Sequence, residues 1–384
     1  MKKIFSNRNI KVILFTIIVT VMFLPMLQRM TKLIGEKQLI GAYTIPEKPK
    51  LNWVTWFDGE YQKTTEDYVQ AKIGFRGTFV RIYNQLQYSL YNQARAKDVI
   101  IGNDGYLYEE NYIDAYLGTD FIGEDSIDMK VNKLGAIDKV LKAKGIEIVV
   151  VLAPGKGSFY PEFIPDQYDI NSRGKTNFEG YSKAIAKTDV HLVDFHQWFD
   201  DMKDTSRYPL FPKTGIHWSK YGEMLVLDSI ITYFNALAKY DKIPELNISR
   251  VEWSNNMRDS DDDIERGMNL LFDIEDFPMA YGHYNFKDSV TEKSPKVLTV
   301  GDSYYWGMFN WGLTEFGFNK AQFWFYNNEI YPDIYDGDAK VSNVDIVAEV
   351  EKNDFILLLV TDANLHKFCF GFIDQLYDGY GLAK

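Results

Sequence analysis

Cysteine is almost missing from this chain: Cys369 is the only one among 384 residues. No intramolecular disulfide can staple the fold, and the aromatic setting Phe368-Cys369-Phe370 reads as a buried, inert thiol. Clusters of lysine and arginine are also missing, and the formal charge is −12. A non-specific nucleic-acid binder needs such clusters to neutralise phosphates, so that class is excluded. There is no internal repeat and no low-complexity tract. Metal-ligand spacing is absent too. The nearest approach is Asp259, Asp261, Asp262 and Asp263, yet Ile264 stands where a calcium loop needs its turn glycine and Leu270 where it needs the final glutamate. The patch reads as a solvated loop, and neither a metal nor a cofactor is expected.

What is present begins at the amino terminus. Lys2, Lys3, Arg8 and Lys11 (residues 1–11) precede an apolar run, Val12 to Leu27, interrupted only by Thr16, Thr20 and Pro25. No small-residue cleavage pattern follows, so residues 12–28 read as an uncleaved signal anchor or transmembrane helix. The basic flank is expected to stay cytoplasmic and the rest to cross an inner membrane into the periplasm or the exterior. Residues 29–56, with Pro46 and Pro49, read as a tether, and residues 57–384 as the folded domain.

The domain shows α/β patterning. Glu66 to Tyr91 carries Val69, Ile73, Phe79, Ile82, Leu86 and Leu90 at helical spacing, which reads as a helix with a core-facing stripe. Gly102-Asn103-Asp104-Gly105 between two apolar segments reads as a hairpin. Ser126 to Lys144 is a helix ended by Gly145, and Ile146 to Leu152 is a continuous β-branched run that suits a strand buried on both faces. Further strands are expected at Val190–Val193, 297–300, 322–326 and 355–360, with a long helix at Ser219–Tyr240. Strands separated by helices predict a wound, mostly parallel sheet with helices on both faces.

Val297 to Val300 ends abruptly in Gly301-Asp302-Ser303-Tyr304. That places the Ser303 hydroxyl at the carboxyl edge of the sheet, where open α/β folds keep their crevices. Ser303 is the candidate nucleophile, and it needs a base and oxyanion donors. The backbone N–H groups of Ser303 and Tyr304, in the turn that Gly301 and Asp302 form, are the candidate donors. Of five histidines, His217 in Gly215-Ile216-His217-Trp218-Ser219 lies just before a helix and is the candidate base. Lys156, after the Ala153 strand end, and Trp306, after the nucleophile, are candidate substrate contacts.

These blocks resemble the SGNH (GDSL-like) hydrolase superfamily, and the order histidine first, serine later is similar to its permuted branch of AlgJ- and AlgX-type alginate O-acetyltransferases. Phe75-Arg76, Gly102 to Tyr108, Ala153-Pro154-Gly155-Lys156 with Tyr160-Pro161-Glu162, and His217-Trp218-Ser219 fit the same branch, roughly from Trp53 to Leu365. The resemblance implies an aspartate two residues before the histidine, but Gly215 stands there. Three outcomes are open: a Ser303–His217 dyad oriented by a backbone carbonyl, a carboxylate recruited from another loop, or lost catalysis. The resemblance implies that Asp302 shapes the turn and does not orient the histidine.

The expected function is a membrane-anchored, extracytoplasmic O-acyltransferase, in the first instance an O-acetyltransferase, acting on a polysaccharide through a Ser303 acyl-enzyme. The resemblance implies a multi-pass membrane acyltransferase of the MBOAT kind as the acyl-donor partner. A carbohydrate acetylesterase of the same fold and a non-catalytic scaffold or glycan-binding subunit are the alternatives.

Overall fold

The computed structural model describes residues 7–41, 45–237 and 242–383. Lys2 and Lys3 of the basic flank, and the last residues of the expected Ser219–Tyr240 helix, lie outside them. The chain divides into two compact units, residues 1–97 with 265–273, and residues 98–264 with 274–384.

The first unit is helical. Helix α1 (Asn7–Thr31) contains a 24-residue stretch, Arg8–Thr31, whose most apolar 18-residue window has a mean hydropathy of 2.5 and is not buried, so by length and composition it can cross a membrane. Extended chain then leads to helix α2 (Trp53–Phe57), α3 (Glu60–Lys72) and α4 (Arg76–Tyr91). The expected single helix over Glu66–Tyr91 is thus broken at Ile73–Phe75, where Phe75 takes a left-handed conformation at φ 60°. Its apolar stripe is a second correction: Val69, Ile73, Phe79, Ile82, Leu86 and Leu90 face solvent rather than a core.

The second unit carries the sheet. Strands β1 (Val99–Ile101) and β2 (Leu107–Glu109) form the expected hairpin. The central sheet is built from β3 (Glu147–Ala153) and β4 (His191–Asp194), then β7 (Val297–Gly301), β8 (Phe323–Phe325), β9 (Glu329–Tyr331) and β10 (Phe355–Thr361). Strands β5 (Leu246–Ser254) and β6 (Met279–Phe286) pair separately as an antiparallel ribbon, which the sequence patterning did not suggest. Their alternation is broken by exposed polar residues and by a bulge near Ser249.

The central order is β4-β3-β10-β7-β8-β9, parallel except for the β8–β9 pair. Helices cover both faces, as parallel sheets require. Ile148, Val150, Leu298, Val300, Ile356 and Leu358 share one core cluster with Ile127, Val131 and Leu134 of the Glu124–Ala143 helix. Residues of opposite parity point the other way, and there Phe234 of the Lys220–Leu237 helix meets Phe355 with ring centroids 5.1 Å apart. This wound α/β sheet preceded by one apolar helix is the expected architecture. Because β3, β7, β8 and β10 run in the same direction, the loops after them gather at one edge.

Candidate active site

Ser303 opens a short 3₁₀ turn (Ser303–Tyr305) directly after β7, and its position is fixed by the residue before it. Asp302 is fully buried, and its carboxylate accepts from Tyr304 N–H at 3.1 Å, Thr361 N–H at 2.8 Å, the Thr361 hydroxyl at 2.6 Å and the Asn364 amide at 3.0 Å. Four donors satisfy a carboxylate that would otherwise be costly to bury. Asp302 therefore ties the serine turn to the end of β10, and it does not touch the histidine. Gly301 fits here because a Cβ would sit 3.2 Å from the Leu359 carbonyl. One expectation fails: the Tyr304 N–H is spent on Asp302, so it is not a free oxyanion donor.

His217 is presented from the loop before the Lys220–Leu237 helix. Its Nε2 lies 2.9 Å from Ser303 Oγ, and its Nδ1 lies 2.6 Å from Asp263 Oδ2. The other Asp263 oxygen accepts Ile216 N–H at 2.9 Å, while the Tyr304 hydroxyl donates to the Ile216 carbonyl at 3.0 Å. The imidazole is thus held from both sides of its own backbone. Burial alone would depress its pKa, but the charge and hydrogen bond of Asp263, with Asp302 and Glu109 nearby, outweigh burial and raise it.

Of the three outcomes open for the missing aspartate, the structure displays the second, a carboxylate from another loop. That loop is the acidic patch read from sequence as solvated, which is a correction. Only Asp259 fits the solvated description. Asp261 is fully buried, accepts Lys220 N–H at 3.1 Å, and is pushed up to about 7 by burial. Asp263 begins the short helix Asp263–Met268 and faces the imidazole. The same loop explains Gly215. A Cβ there would collide with the Ser260 carbonyl and lie 2.8 Å from the Asp261 carbonyl. The loop that supplies the carboxylate occupies the space an aspartate at 215 would need. Gly215→Asp is therefore expected to lower stability by about 1–3 kcal/mol through overpacking and to lower activity, instead of restoring a lost function. Thermal unfolding and an acyl-ester assay on the purified variant check both.

Two candidate contacts are placed elsewhere. Lys156 neither lines the crevice nor faces solvent. It is fully buried, its ammonium donates to the Lys213 and Gly215 carbonyls at 2.6 and 2.7 Å, and burial pulls it down to about 7. It is a clamp on the strand of loop that carries His217. The Lys213 carbonyl keeps its bond from Leu107 N–H at 3.0 Å, so Lys156→Met would orphan the Gly215 carbonyl, and denaturant unfolding should show a loss of about 1–3 kcal/mol. Trp306 packs against Phe323, Phe325 and Tyr331 in an aromatic cluster, with centroids 4.6 to 5.2 Å away, and is not a lining residue.

A cavity of about 330 Å³ opens over the serine and histidine, lined also by Glu109, Asn111, Tyr112, Asp263, Tyr326 and Asn364. Sequence reasoning missed Tyr326. It follows β8 in a left-handed turn at φ 48°, and it lines the cavity together with Ser303 and Asn364. Its only sequence signal was its place at the end of a strand next to β7. No group of acidic, histidine or cysteine residues suited to a metal occurs among the described residues.

The family described as ALGX, "SGNH hydrolase-like domain, acetyltransferase AlgX", matches residues 99–261. Two curated relatives are similar to this chain, both named probable alginate O-acetylase AlgJ. The one from Pseudomonas syringae pv. tomato is 21% identical over 192 residues, covering 49% of this chain and 47% of the relative. The one from Pseudomonas fluorescens is 24% identical over 168 residues, covering 44% and 41%. The chain thus spans less than half the length of these relatives. Among solved structures, the O-acetyltransferase domain of Pseudomonas putida AlgJ covers 73% of this chain and 98% of its own at 14% identity and a TM-score of 0.45. Pseudomonas aeruginosa AlgX covers 72% and 67% at 16% identity and a TM-score of 0.43. The family match and the two AlgJ relatives bear out the resemblance drawn from the motifs: over residues 99–261 this chain is similar to the SGNH hydrolase-like domain of the AlgX and AlgJ type.

Proposed function

We propose that this protein is an O-acyltransferase, in the first instance an O-acetyltransferase, that acts on a polysaccharide through an acyl-enzyme at Ser303. The observation that carries the reading is the hydrogen-bonded relay from Asp263 through His217 to Ser303 at the floor of an open cavity. A serine hydroxyl needs such a relay to attack a carbonyl near neutral pH.

In the first half-reaction Ser303 Oγ attacks the acyl carbonyl carbon of the donor while His217 Nε2 takes the hydroxyl proton. Asp263 holds the Nδ1–H tautomer and stabilises the imidazolium. In this reading the Ser303 N–H and the hydroxyl of Tyr326, which lines the same cavity, receive the oxyanion. Collapse breaks the bond to the donor's leaving group, which departs with the proton from His217. In the second half a sugar hydroxyl gives its proton to His217, its oxygen attacks the acyl carbon, and collapse returns the proton to Ser303 Oγ. Removing one donor of this kind costs about 10²–10³ in kcat. Tyr326→Phe should therefore lower kcat by that factor with little change in thermal stability, read from steady-state turnover of an acetyl ester.

Helix α1 supports an anchored, single-pass placement in the inner membrane, with the sheet domain in the periplasm or outside the cell. The family resemblance supports a membrane acyltransferase of the MBOAT kind as the source of the acyl group. Incubation of the chain with an acetyl ester and an oligosaccharide tests the reading. Acetylated sugar is the expected product. Acetate alone would make the protein an esterase, and absence of both would leave the scaffold reading.

A further inference from the structure

Helix α4 is built inside out. A helix on a folded domain normally buries its apolar stripe and shows its polar face to water. Here the buried positions are Arg81 and Asn84. The Arg81 guanidinium donates to the Leu270 carbonyl at 3.0 Å and the Gln38 carbonyl at 2.9 Å, and the Asn84 amide donates to the Met268 carbonyl at 2.7 Å. These bonds fix the helix in rotation. On the opposite side Phe79, Ile82, Leu86 and Leu90, at spacings of three and four residues, are 46, 40, 49 and 67% exposed. Gln85 holds the backbone N–H groups of Leu271 and Phe272 at 3.2 and 3.1 Å, and both of those side chains are exposed as well. The result is a row of exposed apolar side chains along α4, with two more on the segment that Gln85 holds, and not single scattered surface residues.

Two observations in the same unit say what covers it. The turn between α3 and α4 is seated on the carboxyl end of α1: a Cβ on Gly74 would collide with the Pro25 carbonyl and lie 2.9 Å from Arg29 N. The stripe therefore starts, at Phe79, five residues after a turn packed against the last two turns of the candidate membrane span. The charge also separates along the chain. Residues 29–97 hold eleven lysines and arginines against six acidic residues, a net +5, within a chain of net −12. An apolar stripe rich in Phe and Leu, on a basic segment, next to a membrane span, has the composition of a helix lying in the headgroup region of an anionic bilayer.

We propose that the Phe79–Leu90 face of α4, with Leu271 and Phe272, lies on the membrane surface and seats the protein against the lipid, in addition to the α1 anchor. This rests on the anchored reading of α1. Such a contact holds the first unit flat on the bilayer, so that α1 is not a freely swinging tether.

The test uses the full chain in vesicles of phosphatidylcholine and phosphatidylglycerol. Cys369 is buried, so single cysteines introduced by Leu86→Cys, Ile18→Cys and Met129→Cys take a bimane label selectively. Ile18 reports on α1, and exposed Met129 on the sheet domain. At Leu86 we expect quenching by spin-labelled lipid severalfold stronger than at Met129, together with protection from aqueous iodide. Quenching of Leu86 by iodide and not by lipid, with Ile18 still quenched by lipid, overturns the proposal while leaving the anchor intact. Protection of Leu86 from both quenchers means that protein covers the stripe, and it overturns the proposal equally. Failure of lipid to quench at Ile18 removes the anchor and the proposal together.

Discussion

Ser303→Ala is expected to abolish acyl transfer, with a loss on the order of 10⁶-fold in kcat, the scale seen when a serine protease loses its nucleophile. The side chain is small, and its hydroxyl bonds within the site, to His217 at 2.9 Å. Its removal should leave thermal unfolding nearly unchanged. A serine that served only to cap its turn would give the opposite pattern, a loss of about 1 kcal/mol in stability with activity retained. The Asp302 carboxylate, not Ser303, accepts the Tyr304 N–H, so the capping task is already filled.

Asp263→Asn carries the second large effect, a loss of about 10⁴-fold in kcat, by analogy with the same change in a serine protease. One Asp263 oxygen accepts Ile216 N–H, so an asparagine keeping that bond would point its amide N–H at His217 Nδ1. The imidazole would then carry its proton on Nε2 and donate to Ser303 instead of accepting from it. The pH profile supplies an independent readout. His217 acts as a base only when neutral, so activity rises with pH through its pKa, which stands above the ordinary histidine value because of Asp263 and its neighbours. Without Asp263 the depressing effect of burial gains weight, so the acidic limb of kcat/KM should move to lower pH as the plateau falls. A limb that stays in place would show that Asp263 does not face the working histidine.

The sheet was legible because its strands are continuous apolar runs. Ile148 to Leu152 and Phe355 to Val360 are buried on both faces, and only a covered parallel sheet calls for that pattern. Ser303 and His217 were legible from local context, as hydroxyl and imidazole at element ends. Asp263 was not, because it reaches His217 across 46 residues of sequence and sits in an acidic cluster whose composition resembles any solvated loop. Gly215 held the missing signal in inverted form: it marks the space that the Ser260–Asp263 loop fills. Lys156 was not legible as buried because a loop lysine is ordinarily solvated; two inward-facing carbonyls, with the Tyr106 and Tyr108 rings beside the ammonium, make its burial tolerable. The α4 stripe shows the converse limit. Periodicity marks an apolar face but does not say whether protein, water or lipid lies against it.

The most direct test of the account is intact-mass and peptide-mapping analysis of the chain after brief exposure to an activated acetyl ester. The account predicts one acetyl group per chain, on the peptide containing Ser303, that is discharged when an oligosaccharide acceptor is added. Acetylation at other residues only, or none in a folded preparation, would contradict it.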